Sequence, residues 1–368
     1  MINFVDLAIA SFIALISTFF LTFAVKKLAF KFNIVDFPNR RKIHVHPTPR
    51  IGGLAIFLGA SLGLLYLQPE HIHLQAIFMG AIVIVVTGII DDKYSVRPII
   101  KLTGQLTATT FLLSSGLVIE KITLPFIGMI ELGPFSVLIT ILWVVGITNA
   151  INLIDGLDGL ATGVSTIGLV SILIMAIVDL QIFAVYLCVV LIGANLGFLY
   201  HNFYPAKIYM GDTGSNFLGY MIAVISMLGL FKNVALFSFI IPIIVIAVPI
   251  LDTAFSIIRR ALNKQHIMQA DNKHIHYQLL RAGFSHRQAV LIMYGFSLVF
   301  GVLAIVFQQA PLQISLIVAI IVFILVHLLA EIAGIVMGGK RPVVDKLLKM
   351  AGKDGEKSKL KQGDNSEN

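Results

Sequence analysis

The chain of 368 residues is 58% hydrophobic and only 12% charged, with 27 Lys and Arg against 19 Asp and Glu for a net charge of +8. Its mean hydropathy of +0.93 lies far outside the soluble range and excludes an ordinary water-soluble domain. The single cysteine, Cys188, excludes an intrachain disulfide.

The apolar residues fall into runs of about 17 to 25, the length an α-helix needs to cross a hydrocarbon core. Eleven spans are predicted, over residues 2–24, 51–68, 73–90, 98–117, 135–153, 160–178, 182–200, 214–230, 234–257, 288–308 and 313–336. The first has no basic residue before it and is followed by Lys26 and Lys27, so it reads as a span rather than a cleavable signal. The fold class is an all-α polytopic membrane protein, with residues 1–337 as one transmembrane catalytic domain. Its site-bearing loops are 26–50, 91–97, 154–159, 201–213 and 259–287. Residues 338–368 are polar and basic and read as a disordered cytoplasmic tail.

With the N-terminus outside, 25 of the 27 Lys and Arg fall on one side: seven in 26–50, three in 93–101, Lys207, six in 259–287 and eight from 340 onward. Only Lys121 and Lys232 fall on the other. The positive-inside rule then puts the N-terminus outside and the C-terminus in the cytoplasm. The positive charge therefore speaks of the membrane and not of nucleic acid.

In that orientation Asp91, Asp92, Asp155, Asp158, Asp212 and Asp252 all meet the cytoplasmic face. Carboxylates at a membrane boundary are costly when unpaired, so they face a polar cavity, a partner or a metal. Asp91 and Asp92 close the third span, and consecutive helical residues point about 100° apart, so both can address one atom only if the helix ends there. Lys93, Tyr94, Ser95 and Pro98 predict such an end. A divalent metal, or Lys93, Arg97 or Lys101, would relieve the repulsion of the pair.

The stretch TNAINLIDGLDGLATG at 148–163 carries Asn149, Asn152, Asp155 and Asp158 at every third position. Neighbours at that spacing lie side by side on a helix, but the row winds about half-way round over nine residues. Gly156 and Gly159 let the helix loosen there and turn the row into a shared cavity. A small-residue packing motif is the competing reading. The stretch NFYPAKIYMGDTGS at 202–215 sets Asp212 between Gly211 and Gly214, in a loop whose N–H groups suit phosphate oxygens. GDTG alone is more often a turn, and its place on the acidic face is what raises it. Residues 259–288 hold His266, His274, His276 and His286 among six Lys and Arg, a composition suited to a diphosphate. Oxygen donors without a Cys or His cluster favour Mg2+ or Mn2+ over zinc. An anionic, phosphate-bearing substrate, a hard metal and helical walls suggest phosphoryl transfer to a membrane carrier. A secondary transporter is the rival of another class, but it places its acids near the midplane.

Five ordered motifs, HPTPRIGG at 46–53, IDDK at 90–93, the 148–163 stretch, NFYPAKIYMGDTG at 202–214 and HIHYQLL at 274–280, resemble the polyprenyl-phosphate N-acetylhexosamine-1-phosphate transferases. The PRIGG and HxH elements resemble the branch that uses UDP-N-acetylglucosamine, of the type that starts the wall teichoic acid linkage unit. The resemblance implies a multi-pass enzyme of the bacterial plasma membrane, with its active site facing the cytoplasm. It also implies transfer of GlcNAc-1-phosphate from UDP-GlcNAc to undecaprenyl phosphate, with Mg2+ or Mn2+ as cofactor, and it admits a homodimer. UDP-MurNAc-pentapeptide is the alternative donor. By the same resemblance Asp212 is the principal metal ligand with Asp92 as a second, and Asp91 and Asp92 are the catalytic acidic pair near metal and lipid phosphate. Asp91 is then the base and Asp155 a further catalytic carboxylate. Asn149, Asn152, Asp158, Asn202, Lys207 and Tyr209 border the nucleotide sugar, while His274 and His276 approach the diphosphate. Tyr277 stands where the family usually has a further histidine, and its hydroxyl is expected to substitute.

Overall fold

In hydrocarbon a backbone N–H or C=O finds no water, so long apolar runs satisfy their own hydrogen bonds as helices. The computed structural model describes residues 3–37, 47–124, 128–229, 240–262 and 274–334. In chain order, α1 (Phe4–Lys31) leads through β1 (Val35–Asp36) and β2 (Thr48–Pro49) to α2 (Gly53–Leu67), α3 (Leu74–Tyr94) and α4 (Pro98–Ser114). The antiparallel pair β3 (Lys121–Leu124) and β4 (Gly128–Glu131) precedes α5 (Phe135–Ile154), α6 (Leu160–Val178), α7 (Ile182–Asn202) and α8 (Gly211–Gly229). The chain continues as α9 (Ile240–Val245), α10 (Ala247–Leu262), the short α11 (Ile275–Arg281), α12 (His286–Gln309) and α13 (Leu312–Ile332).

Within the described residues each predicted span falls on helix. Among the described residues seven helices, α1, α3, α5, α6, α7, α12 and α13, are long and apolar enough to cross a membrane. The chain is an all-α polytopic membrane protein whose strands are two short antiparallel pairs. Three boundaries differ from expectation in ways that matter. The ninth span is two helices, broken at Ile246, because Pro249 has no N–H to give the Val245 carbonyl. α3 runs on to Tyr94, past both aspartates. α8 begins at Gly211, so Asp212 lies in its first turn and not in a loop. The tail 338–368, residues 38–46 and residues 263–273, which include His266, lie outside the described residues.

α8 is buried along nearly all of its length, and the apolar windows of α7 and α6 are 72% and 67% buried within the protein, whereas α13 is 22% buried and faces outward. α1 lies along α7 and α2, α5 along α8, and α3 against α4 and α8. Small residues bring these helices close, as is usual where lipid supplies no hydrophobic drive for association. Gly53 of α2 meets the backbone of Gly214, and Gly88 of α3 meets the backbone of Thr213. Beside them the 49–53 segment pairs with the loop before α8: Gly52 and Gly53 donate to the Tyr209 and Met210 carbonyls at 3.0 and 2.9 Å, and Tyr209 donates to the Pro49 carbonyl at 2.8 Å. The start of α8 is thereby held from two sides.

A β-branched side chain at Gly53 would drive α2 from α8. Gly53→Val is expected to lower stability by about 1–3 kcal/mol or more, as overpacking does, whereas Gly146→Ala, whose added methyl meets nothing within 4 Å, should not. Thermal unfolding of both variants in detergent checks this.

Candidate active site

The end of α3, the start of α4, the end of α5 and the start of α8 converge on a group of carboxylates. Because α3 persists to Tyr94, Asp91 and Asp92 diverge instead of sharing one partner. Asp92 turns into the protein, where Oδ1 accepts the Asp212 N–H at 2.9 Å and Oδ2 accepts the Thr213 N–H at 3.0 Å and the Thr213 hydroxyl at 2.6 Å. The first N–H groups of a helix have no partner within it, and a carboxylate suits the positive end of the dipole. The N–H groups expected to meet phosphate are thus taken by Asp92, with the Arg50 Nε 3.9 Å from its Oδ1. Gly211 makes the corner possible: its φ of +70 favours glycine, and a side chain would strike the Arg50 carbonyl and the Asp92 carboxylate.

Asp91 turns the other way. Its Oδ1 accepts the Val96 N–H at 2.8 Å, and its Oδ2 lies 2.5 Å from Nζ of Lys101 in the first turn of α4. The same ammonium pairs with Oδ2 of Asp212, while Oδ1 of Asp212 accepts from Asn152 at 2.8 Å. Asp91 and Asp212 therefore share one cation position.

The polar row of α5 divides between two tasks. Asn149 and Asn152 face the helices: Asn149 donates to Gln105 Oε1 at 2.9 Å, Gln105 donates to Asn216 at 3.2 Å, and Asn152 also donates to Ser215 at 2.8 Å. Both expected nucleotide contacts are thus engaged in placing α8. α5 stops at Ile154 and the chain passes through 155–159 with Gly159 at φ +77, the loosening that the glycines predict. Asp158 accepts the Ala206 N–H at 2.9 Å, and its own N–H donates to His286 Nε2 at 3.0 Å. Asn202 is buried, accepting from Gly159 N–H and the Thr162 hydroxyl and donating to the Ile208 carbonyl, so it clamps the two loops together. Tyr209 is half-buried beside this clamp. Lys207 is exposed, with its Nζ 5.5 Å from the Tyr200 ring centre and no contact to the carboxylates.

The histidine segment packs against the 155–159 loop. His274 Nδ1 lies 2.9 Å from Oδ2 of Asp252, and the His274 and His276 rings stack at 5.7 Å with planes 6° apart. His276 is fully buried against Gly156, and Tyr277 packs on it with ring centres 4.2 Å apart.

A family model described as glycosyl transferase family 4 matches residues 74–230, which span α3 to α8 and hold all of the carboxylates above except Asp252. A probable undecaprenyl-phosphate N-acetylglucosaminyl 1-phosphate transferase of Bacillus subtilis (strain 168) is 45% identical over 337 residues, covering 90% of this chain and 93% of that protein. A decaprenyl-phosphate N-acetylglucosaminephosphotransferase of Mycobacterium tuberculosis (strain ATCC 25618 / H37Rv) is 36% identical over 78% of this chain and 79% of its own length. An undecaprenyl-phosphate alpha-N-acetylglucosaminyl 1-phosphate transferase of Escherichia coli (strain K12) is 30% identical over 76% and 78%. This chain belongs to the polyprenyl-phosphate N-acetylhexosamine-1-phosphate transferases.

In this transferase the charges around the cleft follow from burial. Burial, and then the Asp212 and Asp92 carboxylates, push the Asp155 carboxyl up to about 8. Burial and then Asp158 push the Tyr209 phenol up to about 12, so it remains a donor. Burial pushes His276 down to about 4, so at neutral pH it is an uncharged hydrogen-bonding group rather than a cation. Lys101 and Arg50 are the cations that lie beside the Asp91, Asp92 and Asp212 carboxylates among the described residues. Among the described residues no three Asp, Glu, His or Cys form a complete metal cage. Asp91 and Asp212 nonetheless present oxygens to one cation position, and Mg2+ is commonly held by one or two carboxylates with water and substrate phosphates supplying the rest. The donor set therefore fits a hard divalent ion, with Asp92 committed to α8.

From the sequence Lys101 stands only as one of three possible counter-ions and His286 only as one of four histidines in a basic segment, and Arg50 and Gln105 have no individual role. The four-residue spacing of Lys101 and Gln105 in an apolar helix is a polar stripe that could have been read as facing the site.

The lowered value of His276 has a stability consequence with a definite sign. Its contribution is fully present above about pH 6.5, the ordinary histidine value, and is lost as pH falls toward 4, because the unfolded chain binds the proton first. The thermal midpoint in detergent should fall across that window, and His276→Gln should flatten the slope.

Proposed function

We propose that this enzyme transfers GlcNAc-1-phosphate from UDP-GlcNAc to undecaprenyl phosphate, giving undecaprenyl-diphosphate-GlcNAc and UMP, and so starts a cell-wall polymer such as the teichoic acid linkage unit. In this reading the chain crosses the plasma membrane eleven times with its N-terminus outside and its C-terminus in the cytoplasm, which the 25-to-2 division of Lys and Arg supports. The carboxylate cluster then opens to the cytoplasm, where a soluble nucleotide sugar meets a lipid phosphate.

The observation that carries the proposal is the shared cation position between Asp91 and Asp212, walled by transmembrane helices. Two anions must meet in this reaction, and phosphoryl transfer is governed by positioning and charge neutralisation. Mg2+ held by Asp212 and Asp91 would supply neutralisation of the donor diphosphate and stabilisation of the UMP leaving group. Asp92 and Asn152 keep Asp212 in place. Asp91 orients the acceptor phosphate and takes its proton if one is present, and Lys101 offers a positive charge to the phosphates. An acceptor oxygen attacks the phosphorus that carries the sugar, in line, and the bond from that phosphorus to the UMP oxygen breaks. Neutral His276 and the Tyr277 hydroxyl offer hydrogen bonds on the far side of the 155–159 loop.

UMP release by the purified chain in detergent, with undecaprenyl phosphate and UDP-GlcNAc, tests this reading. Release should require Mg2+ or Mn2+ and stop with a chelator. Asp212→Asn and Lys101→Met should each reduce it about 10²-fold or more, the scale of losing one electrostatic stabiliser. Turnover only with UDP-MurNAc-pentapeptide would move the donor assignment. Radiolabelled phosphate trapped on the protein in the absence of lipid would replace direct attack with a covalent intermediate.

A further inference from the structure

Asp252 belongs to none of the motifs above, yet it is the acid most completely enclosed by one partner set. It is 1% exposed on α10, and both of its oxygens are used by the histidine segment. Oδ1 accepts the Ile275 N–H at 2.7 Å, and Oδ2 takes His274 Nδ1 at 2.9 Å. α11 has no side-chain cap of its own, so this carboxylate from another helix supplies one. Ser256, one turn further along α10, lies 3.3 Å from the same imidazole nitrogen and accepts from Arg259, whose other amino group donates to the Ala333 carbonyl at 3.0 Å. The histidine segment is thus bolted to α10, and through Arg259 to the end of α13.

What this bolt holds in place is His276. Its ring is stacked parallel to His274, is fully buried, and among the described residues has neither Nδ1 nor Nε2 hydrogen-bonded. A buried unpaired polar atom costs about 1–3 kcal/mol, so two on one ring mark a group whose partner arrives with a ligand. Nε2 is the side-chain atom nearest the open face of Gly156, in the 155–159 loop that carries Asp155 and Asp158.

We infer that Asp252 is a positioning residue for the nucleotide sugar: it fixes His274, His274 sets the plane of His276, and His276 meets the donor substrate beside Gly156. The inference rests on the transferase reading and adds to it a residue that touches neither substrate. Behind a metal-ligating imidazole the carboxylate that holds its second nitrogen is worth about 10–100-fold, and an effect toward the lower end of that range is expected for an imidazole that orients a substrate. The effect should fall on the donor and not on the lipid acceptor, because the Asp91 and Asp212 side is held by separate helices.

The test is kinetics on the full chain in detergent, with UDP-GlcNAc binding measured by calorimetry. Asp252→Asn keeps the shape and an acceptor for the Ile275 N–H but loses the anionic partner of His274. It is expected to raise KM for UDP-GlcNAc and weaken its binding about tenfold, with KM for undecaprenyl phosphate unchanged. In a His274→Gln background the same change should add little, and Asp252→Glu should recover part of the loss. Wild-type donor kinetics in Asp252→Asn, equal shifts in both KM values, or full additivity with His274→Gln would overturn the inference. If Asp252→Asn does not fold, Asp252→Glu and His274→Gln carry the comparison: a donor-selective rise in KM in both supports the role, and an equal effect on both substrates overturns it. A wild-type chain that binds UDP-GlcNAc but releases no UMP would overturn the transferase reading alone, and the binding series would still decide the role of Asp252. A wild-type chain that does neither overturns both.

Discussion

The buried Asp92 carboxylate holds the site together. It accepts three hydrogen bonds from the first turn of α8, two from N–H groups and one from a hydroxyl, and so ties the inner end of α3 to a helix that begins more than a hundred residues later. Removing a carboxylate from solvent is costly, and here that cost is offset by donors that would otherwise be unpaired. The bond can form only because Gly88 and Gly53 let α3 and α2 approach the backbone of α8, and because Gly211 takes a backbone conformation that other residues avoid. With α8 seated in this way, Asp212 is brought across from Asp91 and the two can share a cation.

Around that joint lies a shell of amides. Gln105, Asn149 and Asn216 bond to one another between α4, α5 and α8, and Asn152 holds Asp212 and Ser215. Amides suit this position because each offers a donor and an acceptor without adding charge to a cluster already rich in carboxylates. The regular spacing of Asn149, Asn152, Asp155 and Asp158 thus serves two ends. The helical half of the row aligns neighbouring helices, and the half beyond Ile154 lines the cleft. A second, separately supported part is the histidine segment at the start of α11, which Asp252 holds to α10.

Much of the fold was legible in the chain. Long apolar runs in lipid have one way to satisfy their backbone, and each predicted span is helical for that reason. The break at Pro249 was not anticipated, since hydropathy does not register a missing N–H. The partners of the site residues are not legible in the chain: Asp92, expected at the metal, accepts hydrogen bonds from the first turn of α8, Lys207 lies over Tyr200, and Lys101 pairs with Asp91 and Asp212.

The sequence by itself determined the membrane class, the helices, the family and a short set of candidate site residues. These follow from local composition, spacing and the one-sided distribution of Lys and Arg, none of which needs to know what touches what. Only the tertiary structure decided the division of labour: Asp91 facing Lys101 while Asp92 faces Thr213, His274 leaning on Asp252, and His276 resting on Gly156. Each of those contacts joins residues on separate helices, and periodicity along one helix carries no information about which face of another will meet it.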